Sequence, residues 1–314
     1  MEWCLAFSLS SAEAPDEAPT TRTENFRDLK CNISASTNYM VTGITDSLDQ
    51  QIEKNSPSLN RSAVYTESSR IARLPAYLTV NMVRFFWRRE LGKKAKIMRK
   101  VKFPFDLDVV DLVTDDLKQR ILPVNAALKQ IDKDRRERAK IRARAKVAHE
   151  AKKVEEAAAA TTEGAMQGVT STTGAASAPA ETLAVDGAEA KKVPVEGELV
   201  DEDSVRAEEL KKLRALVDLE LAADRGANVT GMYELVAIVT HKGASADGGH
   251  YVGWSKAPAK EGRANEHGDP DKQEWFKFDD DKVSLVTRDK IATLDGGGED
   301  HSAYVLLYAS KQLD

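Results

Sequence analysis

Six runs of mostly apolar residues predict the strands of one sheet. The run YELVAIVTH at 233–241 is rich in β-branched residues. The loop GASADGG separates it from HYVGW, a returning strand, so the two runs predict a hairpin. The six runs span residues 74–87, 101–109, 233–240, 250–256, 274–278 and 303–309. Together with helical patterns between them, they predict an α+β fold with a largely antiparallel sheet.

The pattern changes between the second and third of these runs. Residues 129–153 hold eleven Lys/Arg against four Asp/Glu, a net charge of +7, without Pro or Gly, and predict a long polar helix. Residues 181–209 hold ten Asp/Glu against three Lys/Arg, a net charge of −7. The stretch between these two blocks has few bulky apolar residues and predicts disorder. Residues 201–224 predict another helix, which Asp203 or Ser204 would cap.

We therefore interpret residues 119–204 as a large insertion between strands of one domain. One interpretation is a solvated tether whose charge blocks keep it in solution. Another is a docking arm for an acidic partner surface. Nucleic-acid binding is disfavoured because no aromatic residues are interleaved with the basic ones to stack on bases, and no nucleic-acid partner is predicted.

Composition narrows the class of protein. The chain has 314 residues, a net charge of −5 and two cysteines, which is too few for a disulfide framework or a zinc quartet. No apolar run reaches the roughly 18 residues that a membrane span needs. The N-terminal WCLAFSL lacks a basic flank, so it predicts a strand and not a signal peptide. Neither a metal, a cofactor nor a membrane partner is expected.

The stretch GGHYVGW places a candidate catalytic imidazole at the start of a strand. His250 would be the first residue of the returning strand, directly after Gly248 and Gly249. Glycine lets another backbone pass close by, and a general base must lie within hydrogen-bond reach of the proton it takes. The alternative is a strand-end histidine that packs against Trp254 or Tyr251.

A candidate partner for this imidazole follows 29 positions later. The strand in EWFKFDDDKVSLV ends in three aspartates, of which Asp279 is the first. A carboxylate at a strand end can accept the imidazole Nδ1–H, which fixes the tautomer and stabilises the imidazolium. The alternative is a solvated turn. The two motifs together predict the base and the orienting residue of a nucleophilic hydrolase.

These motifs resemble the C-terminal part of the ubiquitin-specific cysteine proteases, the peptidase C19 family. GGHYVGW, EWFKFDDDKVSLV and AYVLLY match in order and spacing, and LPAYLTVNMVRFFW and VKFPFDLDV fit upstream. NSPSLNRSAVYTESSRIARLP and LDGGGEDHSAYVLLY narrow the likeness to the proteasome-associated branch with an N-terminal ubiquitin-like domain. The likeness covers residues 7–118 and 205–310. It implies a papain-like fold, with fingers and palm in 1–118 and the rest of the palm in 205–314.

The resemblance also implies an activity and a set of roles. His250 would be the general base and Asp279 its orienting partner in thiol-dependent hydrolysis after the C-terminal glycine of ubiquitin. The segments 86–96 and 242–247 are similar to the family's gating loops. Residues lining the channel for the ubiquitin tail would be Gly248, Gly249, Tyr251, Trp254 and Phe86. Implied partners are ubiquitin, its conjugates and the 26S proteasome regulatory particle, with a proteasome-associated location in cytoplasm and nucleus.

The family's nucleophile box, G-x-x-N-x-G-N-T-C-Y, does not occur in this sequence. Cys4 lies in MEWCLAF, and Cys31 lies in LKCNIS, a strand-like run expected in the fingers. We therefore expect a truncated chain that lacks the thumb, is inactive alone and exposes an apolar face. The alternatives are a non-catalytic module that binds ubiquitin or the proteasome, and a fragment without function.

Overall fold

The computed structural model describes residues 3–89, 92–163, 201–243, 248–258, 273–298, 300–311 and 313. The chain divides into two compact units, Met1–Ile131 together with Arg206–Asp314, and Asp132–Val205. The second unit lies within the predicted insertion except for its last residue. The predicted disorder falls mainly on residues 164–200, outside the described residues.

Fourteen strands and five α-helices are described. The strands are β1 (Trp3–Ser10), β2 (Thr20–Phe26), β3 (Leu29–Asn32), β4 (Asp49–Ser56), β5 (Arg61–Arg73), β6 (Tyr77–Val83), β7 (Phe85–Arg88), β8 (Lys93–Lys96), β9 (Asp106–Asp108), β10 (Met232–Lys242), β11 (His250–Lys256), β12 (Glu274–Asp279), β13 (Lys282–Thr287) and β14 (Ser302–Ser310). The helices are α1 (Met40–Leu48), α2 (Asp115–Glu163), α3 (Glu202–Leu216), α4 (Leu219–Ala223) and α5 (Arg288–Ala292).

The strands form two main sheets, and the mixed α+β prediction is confirmed. An eight-stranded sheet has the order β13-β12-β11-β10-β14-β6-β3, with β9 paired to the start of β10. Its pairings are antiparallel except that of β3 with β6. A four-stranded sheet has the order β2-β1-β5-β4, and β7 and β8 form a separate hairpin. The N-terminal WCLAFSL is a strand, as expected.

The core lies between the sheets and the short helices of the first unit. Strand β6 alternates strictly and buries Leu78, Val80 and Met82. Helix α1 adds Met40 and Ile44 to the same cluster. The strand expected at 101–109 is reduced to β9. Pro104 explains the difference in part, because it has no N–H to donate to a ladder.

One face of the eight-stranded sheet exposes several apolar side chains. Val239, Gly253, Phe278 and Val283 are consecutive cross-strand partners from β10 to β13 and therefore share a face. Val239 is 39% exposed, Phe278 42% and Val283 59%. The row ends on β13, at the edge of the sheet.

A carboxylate fastens the loop between β1 and β2 to the tip of the β4–β5 hairpin. Glu17 Oε1 accepts hydrogen bonds from Ser56 Oγ at 2.6 Å and from Ser58 Oγ at 2.8 Å. Its Oε2 accepts from the hydroxyl of Tyr65 at 2.5 Å. The Ser56, Tyr65 and Ser58 donors hold the pKa of Glu17 at about 2. A single ionised side chain thus joins three segments of this sheet.

We expect low pH to weaken the hydrogen bonds that Glu17 accepts. Because the folded pKa of Glu17 is lowered, its contribution to stability is present above the ordinary Glu value of about 4.3 and is lost as the pH falls towards 2. Thermal unfolding of the wild type and Glu17→Gln should therefore differ at pH 6, and the difference should shrink below pH 4 and vanish only as the pH approaches 2. Glu53→Gln, an exposed change on β4, is the matched control. A Glu17→Gln difference that is constant from pH 6 to pH 3 would contradict the assignment.

The long polar helix is confirmed, and its ends differ in their partners. In the first unit, Val124 and Leu128 of α2 pack with Leu213 of α3 in a small apolar cluster. In the second unit, Arg138 and Arg142 of α2 both pair with Glu202. No described helix is long and apolar enough to cross a membrane.

The predicted helix at 201–224 is divided into α3 and α4. The N–H of Asp203 donates to Asp201 Oδ1, so the residue preceding α3 caps it, and the prediction of Asp203 or Ser204 was wrong. Asp218 begins α4 by accepting from the N–H groups of Glu220 and Leu221. The second cap explains why one helical pattern yields two helices.

Candidate functional site

The hairpin of β10 and β11 places His250 at the end of the sheet. The two strands form the antiparallel hairpin that the sequence predicted, and its register places Lys242 opposite His250. Gly249 has a φ of +145°, and a Cβ there would lie 2.4 Å from His241 Nε2. The backbone therefore passes directly against the buried imidazole of His241 before it enters β11. Only glycine fits this approach.

His250 and Asp279 meet as predicted, but through a different ring nitrogen. His250 Nε2 lies 2.5 Å from Asp279 Oδ1, with the imidazole 41% exposed. Hydrogen bonds from Lys277 and then from His250 lower the pKa of Asp279 to about 2. An ionised carboxylate only accepts, so Nε2 carries the proton and Nδ1 of the neutral ring is left bare. The expected Nδ1–H bond was wrong, because the ring presents its other edge to β12.

Lys277 is a site residue that the sequence reasoning missed. Its Nζ donates to Asp279 Oδ2 at 2.6 Å, so both carboxylate oxygens have a partner. Lys277 and Asp279 are two positions apart on β12, and their side chains therefore lie on one face. This spacing is readable in the sequence and was the available signal.

Four aromatic rings lie at the same end of the sheet. His241 packs edge-on to Phe85 at 5.4 Å and against Tyr251 at 4.8 Å between ring centroids. Tyr304 lies 5.6 Å from Phe85 and 6.2 Å from Tyr251. Tyr251 is 49% exposed, so this aromatic cluster has a surface that a ligand can reach.

Lys96 anchors the start of the β10–β11 connection. Its buried Nζ donates to the carbonyl oxygens of His241 at 2.9 Å and Gly243 at 3.0 Å. Burial, followed by repulsion from Arg84, lowers the pKa of Lys96. Burial, followed by repulsion from Lys96, likewise lowers the pKa of His241 and favours its neutral form. The hairpin of β7 and β8 is thereby tied to the backbone that leads towards Gly249.

One of the predicted substrate-binding residues needs correction. Trp254 is 2% exposed, and its Nε1 donates to Thr240 Oγ1 at 2.9 Å, so it is a buried residue and not part of an accessible channel. Phe86 is 46% exposed, and its role in substrate binding stays a prediction. Its neighbour Phe85 points to the opposite face of the strand and contacts His241.

The remaining predicted positions lie around the hydrogen-bonded pair of His250 and Asp279, called the dyad below. Gly248 has no described atom within 4 Å of the place a Cβ would take, so packing does not require glycine there. Tyr251 lies on the sheet face opposite to His250, because the two are adjacent in β11. Of the predicted gating segment 242–247, residues 244–247 are outside the described residues.

Neither cysteine of the chain is placed to act with His250. Cys31 lies on β3, four strand spacings from β11, roughly 19 Å at about 4.8 Å per spacing. It is fully buried, and burial raises the pKa of its thiol to about 12. This strand belongs to the eight-stranded sheet and not to a separate fingers region as expected. Cys4 lies on β1 of the four-stranded sheet.

One group of described residues has the donor types of a metal site. His250, Asp279 and Asp280 each bring a ligand atom within 4.8 Å of the others. In this arrangement Nε2 and Oδ1 are already bonded to each other, and Lys277 occupies Oδ2. The geometry therefore favours a hydrogen-bonded dyad over a metal centre.

Comparison with known proteins identifies the family of this chain. The family model described as "Ubiquitin carboxyl-terminal hydrolase" matches residues 16–308. The chain belongs to the ubiquitin carboxyl-terminal hydrolase family. The α+β architecture and the papain-like expectation agree with this membership, and the dyad at the ends of β11 and β12 lies within the matched residues.

Curated relatives in this family match nearly all of the chain. Ubiquitin carboxyl-terminal hydrolase 6 of Schizosaccharomyces pombe is 40% identical over 297 residues, which are 95% of this chain and 52% of that protein. Ubiquitin carboxyl-terminal hydrolase 6 of Arabidopsis thaliana is 34% identical over 98% of this chain and 51% of its own length. The chain thus spans about half the length of these relatives.

Solved structures show a more distant likeness. The SAGA Ubp8/Sgf11/Sus1/Sgf73 DUB module bound to ubiquitin aldehyde aligns with a TM-score of 0.49 and 15% identity. The alignment covers 100% of this chain and 42% of that chain. Family membership rests on the sequence matches and not on this alignment.

Proposed function

We propose that this chain carries the general base and its orienting carboxylate for thiol-dependent hydrolysis after the C-terminal glycine of ubiquitin. The observation that carries the proposal is the 2.5 Å contact of His250 Nε2 with Asp279 Oδ1, which leaves Nδ1 bare. A bare imidazole nitrogen at an accessible strand end is what a general base requires. Membership of the ubiquitin carboxyl-terminal hydrolase family supports ubiquitin as the substrate.

In the proposed reaction, His250 transfers protons between thiol, leaving amine and water. Nδ1 takes the proton of a cysteine thiol, and the thiolate attacks the carbonyl carbon of the terminal glycine. The imidazolium, stabilised by Asp279, then protonates the amine as the C–N bond breaks and a thioester remains. Nδ1 next takes a proton from water, whose oxygen attacks the thioester. The thiol leaves with the proton returned by the ring.

The surroundings of His250 suit an extended polypeptide tail. A cavity of about 920 Å³ is bordered by Phe85 and Tyr304, which also belong to the aromatic cluster beside Gly249. The aromatic cluster lies on the sheet face opposite His250, so the tail of a folded substrate domain seated near this cavity would have to pass around the strand end at Gly249 to reach the dyad. A tail ending in two glycines suits this approach, since a residue without a side chain passes close to a backbone most easily.

A non-catalytic ubiquitin-binding module is the second candidate. One observation favours it: Cys31 is buried with a raised pKa, and Cys4 lies on the other sheet. Without a thiolate there is no covalent step. The aromatic cluster and the cavity would serve binding equally well in this case.

Turnover of ubiquitin carrying a C-terminal amide-linked fluorophore separates the two candidates. The chain alone should release no fluorophore above background, and a ubiquitin probe that traps thiols should label neither Cys4 nor Cys31. A hybrid, in which the unmatched part of the S. pombe relative is joined to this chain, should release fluorophore and be labelled on the added cysteine.

Two outcomes of this experiment would count against the proposal. Ubiquitin-dependent labelling of Cys4 or Cys31 would mean that the nucleophile is misplaced. A folded hybrid that binds ubiquitin but neither hydrolyses it nor is labelled would favour the binding module.

The proteasome regulatory particle is the proposed larger partner, with a cytoplasmic and nuclear location. The support is the likeness of NSPSLNRSAVYTESSRIARLP and LDGGGEDHSAYVLLY to the proteasome-associated branch. Co-purification of the tagged chain with 26S particles from a lysate tests it, with a chain lacking residues 132–205 as a matched comparison. Absence of 26S subunits from both samples would contradict the partner.

A further inference from the structure

The two oxygens of Asp279 are held by different partners. Lys277 Nζ donates to Oδ2 at 2.6 Å, and His250 Nε2 donates to Oδ1 at 2.5 Å. Strand β12 ends at Asp279, and the chain turns at Asp280 with a φ of +53°. Its cross-strand partner Lys282 on β13 shares this face but is exposed. Lys277 is the cation that donates a hydrogen bond to Oδ2 and can thereby stop the carboxylate from rotating away from the imidazole.

The side chain of Lys277 is itself restrained by its packing on β11. It stands directly opposite Trp254 in the pairing of β11 with β12, and its Nζ lies 5.8 Å from the centroid of the indole ring. The indole is fixed in turn, because Trp254 is buried and donates to Thr240 Oγ1. A cation over an aromatic face gains electrostatic attraction and loses freedom. With 26% of its side chain exposed, Lys277 is screened less than a surface lysine.

Lys277 is a main contributor to the electrostatic environment of the His250–Asp279 pair. The Lys277 hydrogen bond is the first cause, and the His250 bond the second, of the lowered pKa of Asp279. The pKa of His301 nearby is lowered by burial first and then by Lys277 and Lys242, so it favours the neutral form. Asp280 and Lys282 lie in the exposed turn and at the start of β13. Lys277 is thus the partly buried cation in direct contact with the carboxylate.

We propose that Lys277 is a positioning residue of the dyad: it holds Oδ2 of Asp279 so that Oδ1 stays on His250 Nε2 and Nδ1 stays bare. Its meaning for catalysis rests on the function proposed above. The bond itself does not, because it joins two residues of this chain whatever reaction they serve. The dyad is then a chain of three residues, Lys277–Asp279–His250.

Nuclear magnetic resonance of the 314-residue chain tests this role without any turnover. Labelled histidine nitrogens report which nitrogen of His250 carries the proton, and the Asp279 carboxyl carbon reports its titration. In Lys277→Met, the midpoint of the Asp279 titration should rise by about one pH unit or more. The Nε2-protonated form of His250 should give way to a mixture of tautomers. Lys277→Arg, which keeps the charge and can donate to Oδ2, should restore both signals.

Lys256→Met is the matched control. Lys256 on β11 pairs with Glu234 Oε1 at 2.5 Å and is 27% exposed, so its loss removes a comparable cation from the same sheet. It should leave both signals of the dyad unchanged. Unfolding curves verify that each variant is folded, and Lys277→Gln is measured in the same way if Lys277→Met does not fold.

An unchanged Asp279 midpoint and an unchanged His250 tautomer in the charge-removing variant would overturn the proposal. The proposal would also be overturned if Lys256→Met changed the Asp279 titration and the His250 tautomer as much as Lys277→Met does. Neither result depends on hydrolysis by the hybrid. A failure of the proposed reaction and a failure of this positioning role are therefore distinguishable.

Discussion

His250→Ala should remove nearly all hydrolysis by the hybrid while ubiquitin binding survives. Loss of a general base costs typically 10²–10⁴-fold in rate, and a ring that both activates the thiol and protonates the amine belongs at the upper end, about 10⁴-fold. Binding should persist because the aromatic cluster and the cavity do not include His250. Steady-state release of fluorophore and a separate measurement of ubiquitin affinity give the two quantities.

Other histidines of the same region provide the controls. His301 lies 3.2 Å from Thr240 Oγ1 through Nδ1, and His241 is buried in the aromatic cluster. Neither touches Asp279, so His301→Ala should leave most of the activity. If His301→Ala or His241→Ala abolishes hydrolysis while His250→Ala retains it, the base is misassigned and GGHYVGW only begins a strand.

Asp279→Ala should reduce the rate less than His250→Ala. Asp279 orients the ring and stabilises the imidazolium but transfers no proton. Asp280, whose carboxylate lies in the same group of donors, can substitute in part. Removing both residues of the pair should cost little more than removing His250 alone, because groups that act as a unit are not additive. A larger loss for Asp279→Ala than for His250→Ala would contradict these roles.

The parts of the site that depend on strand ends were predictable from the sequence. Two glycines before His250 and three aspartates from Asp279 onwards interrupt alternating runs, and such interruptions mark where strands begin and end. In a hairpin sheet, neighbouring strand ends meet at one edge. The structure accordingly begins β11 at His250 and ends β12 at Asp279.

The parts that depend on register and rotamer were not predictable in the same way. The spacing of Lys277 and Asp279 is readable in the sequence, but the packing of Lys277 on Trp254 follows from the register of β11 with β12, which the sequence does not specify. The choice of Nε2 over Nδ1 depends on one side-chain torsion of His250. The contact of Phe85 with His241 depends on which face of β7 each phenylalanine occupies, and a shift of one residue exchanges the two faces.

The alternation of side chains along β11 carried no signal against Trp254. His250 and Trp254 are four positions apart in one strand and therefore share a face, whereas Tyr251 lies on the other. Alternation therefore places Trp254, and not Tyr251, on the face of the base. Only its burial, at 2% exposed, removes Trp254 from an accessible channel.

Gly249→Ala should disrupt the site, whereas Gly248→Ala should be tolerated. At Gly249 the φ of +145° is unsuited to an L side chain, and the new Cβ would lie 2.4 Å from His241 Nε2 and 2.5 Å from the carbonyl oxygen of Lys242. His241 cannot yield cheaply, because it packs between Phe85 and Tyr251. The combined strain should lower stability by about 2–4 kcal/mol.

The effect of Gly249→Ala on hydrolysis should exceed its effect on folding. Relief of the clash moves the backbone immediately before His250, and a displacement of about 1 Å at a catalytic group can cost roughly 10²-fold in rate. Gly248→Ala meets no described atom within 4 Å and should change stability by less than about 0.5 kcal/mol. Urea unfolding of the chain and fluorophore release by the hybrid measure both variants. Equal behaviour of the two would show that the backbone before β11 adapts freely, and that the close approach to His241 does not set the position of the base.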